Sequence, residues 1–235
     1  MFGRRGEALV KPKDIKADGN SSGKRSVYIY KMTNDDGGAP CVWNGTLSLA
    51  ICKPAIRSSA PEGSIILGFA ANSLDPNNPL IYAAKVTARL ERDEYFTAPR
   101  FEGRPDRVYE WSNGRFSWRL GAKFHSSQTL RHDLGNPPAY RRAIVLISEG
   151  TKKFRYFRCD CPLDYKSQFP ELKQLIENLS QGHRVNLSSE LRSEVDLLVK
   201  QVFRMRSIHS VTPVPVASCG HSCSRADDAF RVVEC

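Results

Sequence analysis

Thr46 to Phe69 is the stretch that leaves this chain the fewest choices. Leu47, Leu49 and Ile51 alternate with Thr46, Ser48 and Ala50, the period of a strand with one buried face. The strand has to stop at Cys52-Lys53-Pro54, because proline has no amide to give a sheet and suits the first turn of a helix. Lys53 is therefore expected at the N-cap of a short helix over Ala55 to Ala60. Pro61-Glu62-Gly63 reads as a turn, and Ser64 to Phe69 as a second, more fully apolar strand. This layout gathers a thiol, two basic side chains (Lys53 and Arg57) and unpaired backbone N–H groups at one spot, where an anion would be favoured. The same residues also suit a plain crossover between strands, with Cys52 buried and the two basic residues solvated.

Around this stretch the chain reads as strands first and helices last. Val27 to Met32 is expected as the first strand, with Tyr28 and Tyr30 on one face and Val27 and Ile29 on the other, followed by a loop at Asn34 to Gly38. Leu80 to Leu90 reads as one long strand, and Asp93 to Phe96 as a short helix leading into Pro99-Arg100-Phe101. Residues 102 to 142 are rich in Arg, Gly, Pro and Asn, and a loop-rich segment of that length is more often functional or disordered than neutral scaffold. Ala143 to Ser148 and Phe154 to Arg158 read as a hairpin. Helices are expected at Glu171 to Leu179 and at Leu191 to Phe203, the second with a stripe of Leu191, Val195, Leu198 and Val202 and an N-cap at Ser188 or Ser189. The expected fold class is α+β: a small curved mixed sheet or a PUA-like β-barrel with short inserted helices, followed by C-terminal helices.

Charge divides the chain further. The formal charge is +10, of which +5 lies in residues 1–31, so the body is only mildly basic. Residues 1–26 lack apolar periodicity and are expected as a basic disordered arm suited to polyanions. A domain over 27–160, a helical extension over 161–206 and a Pro/Cys-rich tail over 207–235 complete the expected organisation. No apolar run is long enough for a membrane span, and the N-terminus lacks the pattern of a secretory signal, so an intracellular protein, cytoplasmic or nucleoid-associated, is expected. Cys159, Cys161, Cys219 and Cys223 lack the usual zinc-knuckle spacing, and no metal or cofactor is expected.

Cys52-Lys53-Pro54-Ala55-Ile56-Arg57, followed by Glu62-Gly63-Ser64-Ile65-Ile66-Leu67-Gly68, resembles the second of the nucleotide modification associated domain families. Leu80-Ile81-Tyr82-Ala83 with Val86 looks like that family's next strand, and Glu94-Tyr95-Phe96 with Pro99-Arg100-Phe101 like its helix and Arg-Phe pair. Asp106 with Tyr109 is similar to its Asp-Asn-hydrophobe-Tyr element. Asp133, Val145 to Ser148 and Tyr156-Phe157 are similar to its closing Asp and hairpin. Gly63-Ser64, Asp106-Arg107 and Tyr156-Phe157-Arg158 depart from the family's Gly-Asp, Asp-Asn and Tyr-Phe-Gly. The resemblance runs from about residue 27 to about 158 and implies an association with DNA base modification systems.

Two functions are consistent with these residues. In the first, the domain recognises a modified base or nucleotide. Lys53, Arg57 and Arg100 would meet phosphate, Tyr95, Phe101, Tyr109 or Trp111 would stack the base, and Asp106 or Asp133 would read its polar edge. Most of these aromatics would equally suit a core. In the second, the protein is an enzyme acting on a nucleotide or base. Cys52 is the nucleophile, its thiolate favoured by the helix start and Lys53, and His125 or His132 is its base. Expected partners are a nucleic acid, DNA in preference, or a nucleotide, with partner proteins of a DNA modification system and no membrane.

Overall fold

The computed structural model describes residues 25–206. In chain order these form β1 (Val27–Met32), β2 (Cys41–Trp43), β3 (Thr46–Leu49), α1 (Pro54–Ser59), β4 (Ile65–Ala70), β5 (Leu80–Lys85) and β6 (Ala88–Glu91). There follow α2 (Glu94–Thr97), β7 (Tyr109–Ser112), β8 (Arg115–Trp118), α3 (Leu130–Leu134), β9 (Ile144–Glu149) and β10 (Phe154–Tyr156). The last elements are α4 (Tyr165–Gln168), α5 (Pro170–Asn178), β11 (His183–Arg184) and α6 (Ser189–Arg204). The Pro/Cys-rich tail and all but the last two residues of the basic arm lie outside the described residues.

Two sheets are stacked. One has the strand order β10-β5-β4-β1-β11 and is mixed, since β1 and β4 run parallel in the register Val27 to Ile65 while the other pairs are antiparallel. The second, β2-β3-β9-β6, is antiparallel throughout, and β7 and β8 form a separate hairpin. A parallel neighbour requires a long crossover, and β2, β3 and α1 supply it between β1 and β4.

The alternation of side chains then sorts the core. Val27, Ile29, Leu67 and Phe69 face Leu172, Ile176, Val195 and Leu198 of the C-terminal helices, while Tyr28, Tyr30 and Ile66 face Leu47, Leu49 and Leu146 of the second sheet. The opposite side of the second sheet, Val145 and Ile147, packs under Tyr95, Phe96, Tyr109 and Phe116. Gly68 is where the two tyrosines of the middle layer meet. A Cβ there would lie 2.3 Å from Tyr82 Cε1, and its absence lets the Tyr82 hydroxyl reach 2.9 Å from that of Tyr30.

Three expectations give way. The long strand over Leu80 to Leu90 is two strands in different sheets, broken at Val86-Thr87, where the chain crosses from one layer to the next. The expected hairpin of β9 and β10 does not form, because both edges of β9 are taken, by β3 and β6. No barrel closes among the described residues, so the mixed sheet is the realised alternative. The stripe on α6 is buried as read, and Ser188 caps it by accepting from the Leu191 amide at 3.2 Å.

Candidate active site

The turn between β3 and α1 is conformationally costly. Cys52 and Lys53 both hold left-handed backbone, φ 55° and 43°, which costs a non-glycine residue about 1–3 kcal/mol and persists only where surroundings over-determine it. Two contacts do so. The Cys52 amide donates to Asp133 Oδ1 at 3.0 Å, and the Cys52 carbonyl accepts from Arg57 Nε at 2.7 Å. The turn ends the strand abruptly and presents the Cys52 thiol to a cavity.

His125 reaches that thiol from the segment between β8 and a 3-10 turn at Ser127–Thr129. Its Nε2 lies 3.2 Å from Cys52 Sγ, and its Nδ1–H donates to Asp133 Oδ2 at 2.6 Å. Asp133 is fully buried on α3 and also accepts from the Tyr109 hydroxyl at 2.7 Å. Burial alone would raise its pKa, but the hydrogen bond and charge of His125, the Arg57 guanidinium and Tyr109 outweigh burial and hold it below the usual carboxylate value. The carboxylate is thus charged at neutral pH and fixes the imidazole with Nε2 toward sulfur. Burial, reinforced by Asp133, pushes the Tyr109 hydroxyl up, so it remains a donor.

Arg57 ties the assembly together. It is fully buried, and besides Cys52 it donates to the carbonyls of Arg142 at 3.0 Å, Ile144 at 2.5 Å and Asp133 at 2.9 Å, with Asp133 Oδ1 a further 3.7 Å contact. Burial lowers its pKa and Asp133 raises it; a guanidinium starts high enough to stay charged. The planar fork suits this position, because one side chain spans backbone from three segments.

The thiol and imidazole open onto a cavity of about 290 Å³. One wall is the loop Asn34 to Ala39 and the other is Lys123 to Ser126. In the loop, the Asp36 carboxylate accepts from the Gly38 amide at 2.9 Å and from Asn34 Nδ2 at 2.8 Å. Phe124 closes against Gly38, where a Cβ would lie 2.9 Å from the ring.

Of the residues expected to form a site, the fold brings Cys52, Arg57, Tyr109 and Asp133 together, with His125. Arg57 and Asp133 face inward and spend their polar atoms on protein, so neither meets phosphate or a base edge. His132, the other candidate base, is exposed on α3. Tyr95, Phe101 and Tyr109 are core residues with no ring face left for stacking. Asp106 belongs to a second buried network, in which it accepts from Tyr95 at 2.7 Å, from Ser48 and from Arg104 at 3.3 Å. Arg100 is at the surface, over the Phe101 ring and 3.8 Å from Glu149. Trp111 is half-buried against Phe116. Lys53 stays outside the relay, its ammonium 5.3 Å from the Tyr30 ring centre. Asn34, Asp36 and Phe124 were not expected in a site. The Asn-Asp-Asp-Gly-Gly composition marks only a loop, and nothing in it tells which cavity the loop borders.

Among the described residues, no group of three or more His, Cys, Asp or Glu is placed to hold a metal ion, and no helix is long and apolar enough to cross a membrane. Cys219 and Cys223 lie outside the described residues. The family model described as nucleotide modification associated domain 2 matches residues 24–203, further toward the C-terminus than the residues that carried the resemblance. No curated protein and no solved structure matches the chain.

Proposed function

The chain belongs to the nucleotide modification associated domain 2 family, and from that premise we propose that it is a thiol-dependent enzyme acting on a base or nucleotide of a DNA modification system. One observation carries the reading: Cys52 Sγ, His125 and Asp133 form an unbroken relay of 3.2 Å and 2.6 Å at the floor of a cavity. A nucleophile within reach of a base that a third group orients is the arrangement nucleophilic catalysis needs. His125 Nε2 takes the thiol proton as Cys52 Sγ bonds to an electrophilic carbon of the substrate. The imidazolium, stabilised by Asp133, returns that proton to the departing amine or alkoxide. Cys52 is then covalently attached. A water deprotonated by His125 attacks the same carbon, the C–S bond breaks, and the thiol regains its proton. The Cys52 amide is held by Asp133 and does not serve the negative charge developing on substrate. Donors for that charge must come from the cavity walls, where Asn34 carries an amide.

A second reading keeps the cavity and drops the chemistry. With Phe124 on one wall, the cavity would admit a displaced base and the domain would be a reader of modified DNA. In either role the protein works where DNA or nucleotides are, in the cytoplasm or at the nucleoid, beside other proteins of such a system. Incubating DNAs with hypermodified bases with wild type and with Cys52→Ala, then comparing digested nucleosides by liquid chromatography and mass spectrometry, separates the two. A change in composition that requires Cys52 supports the enzyme. Unchanged composition, with equal binding of modified DNA by both proteins, overturns the enzyme in favour of the reader.

A further inference from the structure

A second cavity, about 670 Å³, abuts the first. Thr33 lines the larger cavity and Asn34 the smaller; Lys53 lines the larger and Cys52 the smaller. Consecutive residues thus line the two spaces at two places. The larger lies beyond the carboxyl ends of β1 and β4, the parallel pair of the first sheet, and parallel strands tend to present ligand sites at that end.

Its charge differs from that of the catalytic cavity. Lys31 and Lys53 both line it, the first donating to Asn72 Oδ1 at 3.3 Å. The acidic lining residue, Glu177, has a cation of its own in Lys166 at 3.6 Å. Partial burial and then the nearby Lys166 charge lower the Lys31 pKa, with Glu177 opposing them. Two lysines thus line the cavity against one carboxylate that already has a cation, and an anion would balance them. Lysine suits a phosphate as a point charge that needs no fixed approach geometry.

We infer that this cavity receives, between Lys31 and Lys53, a phosphate of the same molecule whose reactive group reaches Cys52, so that the substrate is a phosphorylated nucleoside and not a free base. The inference rests on the enzyme reading above and narrows its substrate class. It also moves phosphate recognition from Arg57 and Arg100 to Lys31, which motif spacing did not mark. The phosphate belongs either to a free nucleotide or to a nucleic-acid strand.

Iodoacetamide alkylation of Cys52, followed by intact mass and peptide mapping, tests it. The protectants are the four 2′-deoxynucleoside 5′-monophosphates, the corresponding nucleosides and short single-stranded trinucleotides. A phosphate-bearing protectant should act at a concentration on the order of tenfold below that of the nucleoside, the equivalent of one charge-assisted hydrogen bond. Protection by monophosphates assigns a free nucleotide and protection by trinucleotides alone assigns a strand; both support the site. Lys31→Met, which keeps the stem and removes the charge, should erase the advantage, and Lys31→Arg should restore it. Equal protection with and without phosphate, no protection by any of them, or an advantage that survives Lys31→Met overturns the inference. The unprotected rate is read separately: if it depends on His125 while phosphate gives no advantage, the enzyme reading stands and the phosphate site falls. An unprotected rate indifferent to His125→Gln removes the enzyme reading whatever phosphate does.

Discussion

Replacing Arg57 with methionine removes one guanidinium and its hydrogen bonds to four carbonyls, those of Cys52, Asp133, Arg142 and Ile144, of which Arg142 still accepts from the Ile144 amide at 2.8 Å. It also leaves the buried Asp133 carboxylate without a cation 3.7 Å away. Losing one partner of a buried pair costs about 3–5 kcal/mol, since the remaining charge is stranded. Three carbonyls losing this donor, at up to about 1–3 kcal/mol each, could exceed that figure, but the cost of burying a guanidinium disappears with it. The expected loss is therefore about 3–5 kcal/mol, a large share of the roughly 5–15 kcal/mol that holds a domain folded. Arg57→Lys should recover little, because one ammonium cannot span carbonyls from three segments. Urea denaturation reads the loss as a lower midpoint at unchanged slope. In the fraction that remains folded, Cys52 alkylation should slow, since the strained turn loses one of its two braces. A loss below about 1 kcal/mol, the scale of an exposed ion pair, would refute the reasoning.

Asp133→Asn should change how stability depends on pH. Because the folded pKa is depressed, Asp133 contributes fully above its unfolded value of about 3.9, and the contribution is lost as pH falls through the lower folded value. Denaturation midpoints should thus fall more steeply below about pH 5 in wild type than in the variant. Gly68→Ala forces a methyl to 2.3 Å from Tyr82 Cε1, and thermal unfolding should show a loss of about 1–3 kcal/mol from overpacking. Ser188→Ala removes the cap of α6 and should cost about 1 kcal/mol, read in the same assay with Cys52 reactivity unchanged.

Patterns that rest on local chain physics were legible. The stop at Cys52-Lys53-Pro54, the faces of β1, the apolar β4 and the stripe on α6 all follow from period and proline placement. Sheet membership was not. Val86-Thr87 carries no Gly or Pro to mark the crossing, and β9 and β10 look like a hairpin until β3 and β6 are known to occupy β9. At the site, the turn that carries Cys52 was legible from the strand period and Pro54, but the residues that surround its thiol were not. Its partners lie 73 and 81 positions further on, and no motif spacing fixes such pairs. Arg57 and Tyr109 misled for a related reason: residue type announces a polar or aromatic role without saying whether the chain turns it inward.

The most direct test of the relay is the second-order rate of Cys52 alkylation by iodoacetamide at neutral pH in wild type and His125→Gln. Cys41 will not compete, because burial and the nearby Asp106 push its thiol well up. The relay predicts a wild-type rate on the order of 10²-fold above that of the variant, the lower range for a positioned base, with the label mapped to Cys52. Equal rates in the two proteins would contradict it.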